Sequence, residues 1–141
     1  MRIMAIDYGD ARTGIAVSDE TASLAGEAWV IREKSPAAVV RAIASEASSR
    51  GVGLIVIGYP KNMNGSIGPR AQKSESLAES IRGQCNIEVV LWDERMTTLS
   101  AHRILTDTGK YGKKRKDTID AVAASLILEN YLQSRVNANK K

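Results

Sequence analysis

The stretch "LIVIGYPKNMNGS" (Leu54–Ser66) joins an apolar run that favours burial to a loop of Tyr, Pro, Lys, Asn and Gly that favours water. With Val52 and Gly53 ahead of it, the apolar run is nearly continuous, the pattern of a strand covered on both faces. A strand of that kind implies a sheet flanked by helices. The flanking sequence supplies them. "SPAAVVRAIASEASSRG" upstream opens on Ser35-Pro36, carries apolar residues at 39, 40, 43, 44 and 47, and stops at Gly51. Downstream, Ser66 to Pro69 starts a second helix that runs to about Arg82.

"IEVVLW" (Ile87–Trp92) is a further strand, and strand–helix–strand reads as a right-handed parallel crossover. Nearer the start, "RIMAI" (Arg2–Ile6), "GIAVSD" (Gly14–Asp19) and "GEAWVIR" (Gly26–Arg32) are joined by short polar connections, as in an antiparallel meander. A short helix near Thr98–Leu105 and a long one from about Thr118 to Gln133 follow. The expected fold is α/β: a five-stranded mixed sheet, three strands in a meander and two parallel, with helices on both faces. The chain reads as one domain over residues 1–136 and a disordered basic tail over 137–141.

Composition narrows the function. The 141 residues suffice for one well-packed domain. With 43% hydrophobic and 26% charged residues the chain fits a soluble globular class. One cysteine, Cys85, and one histidine, His102, leave no Cys/His zinc cluster. No leader pattern or membrane-length apolar run is present, so a cytoplasmic protein without a membrane partner is expected. The net charge is +4, and "KYGKKRK" (Lys110–Lys116) alone carries five positive charges, leaving about −1 elsewhere. Such a block is either a solvated loop or a phosphate-binding one.

In open sheets of this kind, ligands bind beyond the carboxyl ends of the parallel strands. Three apolar runs end there in polar residues: Asp7, the Tyr59–Ser66 loop, and "DER" (Asp93–Arg95). Asp7 precedes a turn with Gly9 and fits a turn cap as well as a site. Side chains alternate along a strand, so one of Asp93 and Glu94 faces the site, and Glu94 is the choice. Asp120, in "DTIDAVAASLIL", fits helix capping with Asp117 as N-cap, and fits chemistry equally. Carboxylates gathered at a sheet edge suit Mg²⁺, which prefers oxygen ligands and is completed by substrate phosphate. Two such ions roughly 3.5–4 Å apart support in-line phosphodiester hydrolysis.

"DYGDARTGIAVSD", "GYPKNMNGS", "DERMTT" and "DAVAASLILENYL", in that order, resemble the pre-16S rRNA nuclease family, the YqgF-type proteins. That family is similar to Holliday-junction resolvases of the ribonuclease-H-like fold. The resemblance spans almost the whole chain. It implies a Mg²⁺- or Mn²⁺-dependent nuclease (one or two ions) in 5′-end maturation of precursor 16S ribosomal RNA, with Asp7, Glu94 and Asp120 as catalytic metal ligands. It also implies phosphate contact or loop bracing by Arg12 and Arg95. Lys61 and Asn62 of the loop, with Lys113, Lys114, Arg115 and Lys116 of the basic block, complete the expected nucleic-acid contacts. Structured RNA or branched DNA is the expected partner of a monomer or homodimer. Two departures from the family pattern stand out. Tyr59 and Asn64 replace Leu and Asp in its "GLP…DGS" loop, and strand 4 lacks the terminal acid that resolvases carry. The alternatives are a resolvase on four-way DNA and a non-catalytic nucleic-acid-binding module linked to transcription or ribosomes. "DYGDARTG" also resembles the first phosphate motif of actin-like ATPases and sugar kinases, but those enclose a nucleotide between two such domains.

Overall fold

The structure, a computed structural model, describes residues 1–94 and 112–139, with the side chains of 112–118 and 139 excepted. Five strands form one sheet in the order β3-β2-β1-β4-β5: β1 (Arg2–Asp7), β2 (Thr13–Ser18), β3 (Ala25–Ile31), β4 (Val52–Tyr59) and β5 (Glu88–Asp93). β1, β2 and β3 pair antiparallel, whereas β1, β4 and β5 are parallel. The expected meander and crossover are both present. The chain winds outward from β1 to β3, then returns to lay β4 on the other side of β1. That reversal sets the carboxyl ends of β1 and β4 side by side, the edge at which open sheets of this kind bind ligands.

Alternation along the strands builds two cores. Met4, Ile6, Ile15, Val17, Ile55, Ile57 and Val89 face one side and pack against α1 (Pro36–Ser49) and α2 (Pro69–Gln84). Ile3, Ala5, Ala16, Leu54 and Val56 face the other and meet Ala124, Ile127, Leu128 and Leu132 of α3 (Gly112–Asn139). Fully burying one such aliphatic side chain is worth roughly 1.5–3 kcal/mol, so both faces of β1 and β4 are firmly held. Trp92 stands edge-on to Tyr131 with ring centroids 5.7 Å apart, which ties β5 to α3.

α1 begins as expected: Ser35 is its N-cap, and Pro36 occupies the first turn, where a missing N–H costs nothing. Gly51, at φ 68, terminates it. α2 starts behind Gly68 with Pro69 in its first turn.

The last helix departs from expectation. It begins at Gly112, not near Thr118, so the backbone of Gly112–Lys116 is helical and not a loop. Lys and Arg are good helix formers, and neither Gly nor Pro interrupts residues 113–139, so the apolar part of the helix propagates upstream. Residues 137–139, expected in the tail, continue the helix. Arg95, His102 and the expected helix at Thr98–Leu105 lie outside the described residues. Among the described residues no helix is long and apolar enough to cross a membrane.

Candidate active site at the sheet's carboxyl edge

Parity along the strands decides which acids meet. Asp7 follows Ile3 and Ala5 on the α3 side of β1, and Glu94 follows Val90 and Trp92 on the α3 side of β5. Asp93 has the opposite parity, so Glu94 is the one of the two that meets Asp7. β4 lies between β1 and β5, and Glu94 must pass over it to reach Asp7. It does so at Gly58. A β-carbon there would come within 2.9 Å of Glu94 Oε1 and 2.8 Å of Ile127 Cδ1. The absence of a side chain at Gly58 is therefore a requirement of the site.

Gly14 performs the same service for the third acid. It pairs with Asp7 across the β1–β2 ladder, and a β-carbon on it would stand 2.1 Å from the Asp120 carbonyl oxygen. With glycine there, α3 lies directly on the sheet and brings Asp120 beside Asp7. Asp120 is eight residues into α3, so helix capping no longer accounts for it.

Glu94 and Asp7 are joined by a side-chain hydrogen bond, with Glu94 donating. Burial, then the Asp120 charge, pushes the Asp7 carboxyl up to about 6, against the pull of Arg70. Burial, then the Asp7 charge, pushes Glu94 up to about 7, again opposed by Arg70. The pair thus holds a shared proton near neutrality. Asp120 is placed differently: Arg12 Nε donates to its Oδ2 at 3.1 Å. Arg12 is thus paired with an acid of α3, a contact distinct from the phosphate contact or loop bracing implied for it. Among the described residues, no three Asp, Glu, His or Cys side chains are grouped closely enough to hold a metal ion. Two carboxylates touch, and the third is turned to arginine.

The opening loop is self-supporting. Asn62 N–H donates to the Ser66 carbonyl at 2.9 Å and Gly65 N–H to the Asn62 carbonyl at 2.8 Å, with Gly65 at φ 86. Asn64 Oδ1 accepts from both the Ser66 N–H and its hydroxyl, so asparagine serves where the family pattern has Asp. Asn62 Nδ2 donates to Ser66 Oγ, which makes Asn62 a loop brace as well as a surface residue. Lys61 Nζ lies 5.5 Å from the Tyr59 ring centroid. Tyr59 itself is buried and donates to Glu75 Oε2 at 2.7 Å, anchoring the loop to α2.

Arg70, in the first turn of α2, is the residue sequence reasoning missed: its charge acts on both Asp7 and Glu94. It stands outside every quoted motif, and only its place just after a helix-starting Pro69 hinted at the strand edge. Gly58 carried a better signal, since glycine inside an apolar strand marks close approach by another group. Arg95 lies outside the described residues. Lys113, Lys114, Arg115 and Lys116 stand in the opening turns of α3, and their side chains are not described.

The fold defined by this sheet and helix arrangement is the ribonuclease-H-like fold of RuvC-type resolvases. RuvC of Thermus thermophilus in complex with a Holliday junction matches it at a TM-score of 0.59, over 95% of this chain and 96% of that one, at 11% identity. The chain belongs to the RuvX family, described as Holliday junction resolvase, whose sequence model matches residues 1–134. It is 41% identical to a protein of Thermoanaerobacter pseudethanolicus over 97% of this chain and 99% of that one. It is also 44% identical to one of Pelotomaculum thermopropionicum over 96% and 88%. Both relatives carry the name "Putative pre-16S rRNA nuclease".

Proposed function

We propose that this protein is a divalent-metal-dependent endonuclease that hydrolyses phosphodiester bonds in structured RNA, acting in 5′-end maturation of precursor 16S ribosomal RNA. The observation that carries the proposal is the Asp7–Glu94 pair. Two half-buried carboxyl groups are in contact at the carboxyl edge of the sheet, with the Arg70 charge acting on both and Arg12 on the neighbouring Asp120. The names of the relatives supply the substrate class.

The donor set fits Mg²⁺ or Mn²⁺. All three acids offer oxygen, which hard cations prefer, and a bound cation would offset the cost of holding Asp7 and Glu94 ionised together. Asp7 and Glu94 would hold the ion, with Asp120 joining when it leaves Arg12. A bound divalent ion supplies charge stabilisation at the scissile phosphate and lowers the pKa of a water. The chain's own residues do the rest. Glu94 would give up the proton it shares with Asp7 on metal binding, so binding below pH about 7 would release protons. Arg70 and Arg12 orient the substrate phosphate as point-charge and fork donors, and the Lys61–Asn62 loop forms the wall beyond β4.

A second reading, cleavage of four-way DNA junctions, is favoured by the family's description. A side-by-side assay separates them: a 5′-extended small-subunit rRNA precursor and a four-way DNA junction, each with Mg²⁺ and Mn²⁺, with Asp7→Asn as control. Metal-dependent cutting of the RNA, lost in the variant, is the expected result. Cutting of the junction alone would give the site to DNA, and binding of either without cutting would leave a non-catalytic module.

A further inference from the structure

On the α1/α2 side of the sheet, a furrow starts at Arg70, the residue whose charge acts on the carboxylate pair. It begins in a small hollow of about 170 Å³ lined by Tyr8, Gly9, Asp10, Arg70 and Lys73. Tyr8, Asp10 and Lys73 also line the next compartment, about 520 Å³, between the start of α1 and the exposed face of α2. Pro36, Val40 and Ser80 in turn pass it on to a third compartment of about 360 Å³, which ends at Arg41 and Gln84. Shared walls make the three one continuous path.

The path has a consistent chemistry. Its floor is apolar, from buried Val40 and Leu77 and half-buried Tyr8. Its walls carry Arg70, Lys73, Lys34 and Arg41 against a single carboxylate, Asp10, which Lys73 Nζ already neutralises at 2.7 Å. Lys34 and Arg41 are exposed and make no ion pair among the described residues. Ser76, Ser80 and Gln72 offer hydrogen-bonding groups between the cations. From Arg70 to Gln84 the helix rises roughly 21 Å. At about 3.4 Å per stacked nucleotide of one strand, and more when extended, that length takes a segment of on the order of three to six nucleotides.

We infer that this furrow is a subsite for a single-stranded polynucleotide, holding the strand that flanks the scissile phosphate. The bases lie on the Tyr8–Val40–Leu77 floor, and the phosphates face Lys34, Lys73 and Arg41. Stacking and backbone charge together give sequence-tolerant binding that weakens steeply with salt. The inference deepens the nuclease reading of the adjoining site and rests on it for the direction of the strand. Its test is metal-free binding, so a failure to cleave does not obscure it.

The experiment measures fluorescence anisotropy of a labelled twelve-nucleotide oligouridylate, and of its deoxythymidylate counterpart, with full-length protein in chelator from 50 to 300 mM salt. Removing both Lys34 and Arg41 (Lys34→Ala with Arg41→Ala) is expected to lower the slope of log K against log salt by about 1.4. Affinity at 0.1 M salt then falls about 25-fold, since each cation lost from a single-strand site accounts for about 0.7 of slope. Arg2→Gln with Arg82→Gln removes two cations away from the furrow and is expected to leave the slope within about 0.3 of its starting value. A drop in slope with either sugar, confined to the furrow variant, supports the subsite. Equal losses in both variants, or none in the furrow variant, overturn it. Both altered furrow residues are exposed, and unchanged melting temperatures confirm that binding alone is read.

Discussion

The two ends of β1 handle charge in opposite ways. At its amino end every prominent charge has an opposite partner. Arg50 donates to Glu27 and Glu46, each at 2.8 Å, and covers the Trp29 ring at 4.2 Å, while Arg2 reaches Glu20 at 3.5 Å and the Arg50 carbonyl at 3.0 Å. At the carboxyl end Asp7 and Glu94 face each other, half-buried and sharing a proton near neutrality, with the Asp120 charge acting on Asp7. The first arrangement lowers the energy of the folded chain. The second raises it, and persists because the two packed cores and two glycines impose it. Local cost held in place by surrounding structure is the mark of a site kept for chemistry and not for stability.

Replacing Asp7 by Asn breaks the contrast most sharply. It keeps the shape and one hydrogen bond but removes a charge from the proposed metal site. Cleavage is expected to fall by at least about 100-fold. Unfolding measured without metal at pH 8 is expected to show no loss of stability, because the substitution also removes a repulsion. A variant that unfolds readily would return Asp7 to the role of a turn cap.

Gly58→Ala comes next. Its methyl group would press on the free ends of Glu94 and Ile127, at 2.9 and 2.8 Å, not on fixed backbone. Both can shift, so the fold is retained while Glu94 is displaced from Asp7. A displacement of about 1 Å at a reacting centre costs up to about 100-fold in rate, and a fall of 10- to 100-fold in cleavage is expected. Titration of metal binding by calorimetry checks the cause: weaker binding with normal melting identifies Glu94, whereas normal binding with lost cleavage would not.

These two residues mark how far the sequence could be read. The strands were legible because apolar runs and turn residues alternate along the chain, and the two-residue period of a strand showed that only one of Asp93 and Glu94 could face the site without saying which. Asp120 was ambiguous because its helix starts two turns earlier than its apolar pattern does. Lys and Arg carry helix propensity without leaving an amphipathic trace. Arg70 was invisible because it enters the site from a helix on the opposite face, and only the packing of α2 against β4 and β5 brings it there. The close approaches at Gly14 and Gly58 likewise exist only once strands are neighbours.

A third and smaller effect concerns pH. With metal removed, Asp7 and Glu94 bind their proton in the folded state up to about pH 6 and 7, whereas in the unfolded chain they release it near pH 4. Between about pH 4 and 7 the folded state binds more protons, so these groups make stability fall as pH rises through that window. The loss is complete above it. Melting without metal is expected to be higher at pH 5 than at pH 8 by more in the wild type than in Asp7→Asn. At pH 8, Mg²⁺ at a hundredfold excess over its Kd is expected to restore about 2.7 kcal/mol to the wild type and much less to Asp7→Asn. Equal responses to Mg²⁺ in both proteins would place the ion elsewhere.

The smallest effect belongs to the amino end, and it tests whether the two ends are independent. Arg50→Ala removes two carboxylate contacts and the cover over Trp29, and leaves Glu27 and Glu46 in water, where an unpaired acid costs little. The Arg50 side chain is only 31% exposed, so part of its value is packing against the ring. Exposed ion pairs contribute up to about 1 kcal/mol, and a cation over an aromatic face a similar amount. A fall of about 1 kcal/mol, or about 3 °C in Tm for a chain of this size, is expected. Raising salt should shrink the difference, because ion pairs are screened and ring contact is not. Cleavage should be unchanged, since β1 is held on both faces along its length and transmits no displacement to Asp7. A cleavage defect in Arg50→Ala at full folding would mean that the amino end positions the acids, and that the neutralised charges there serve the site as well as the fold.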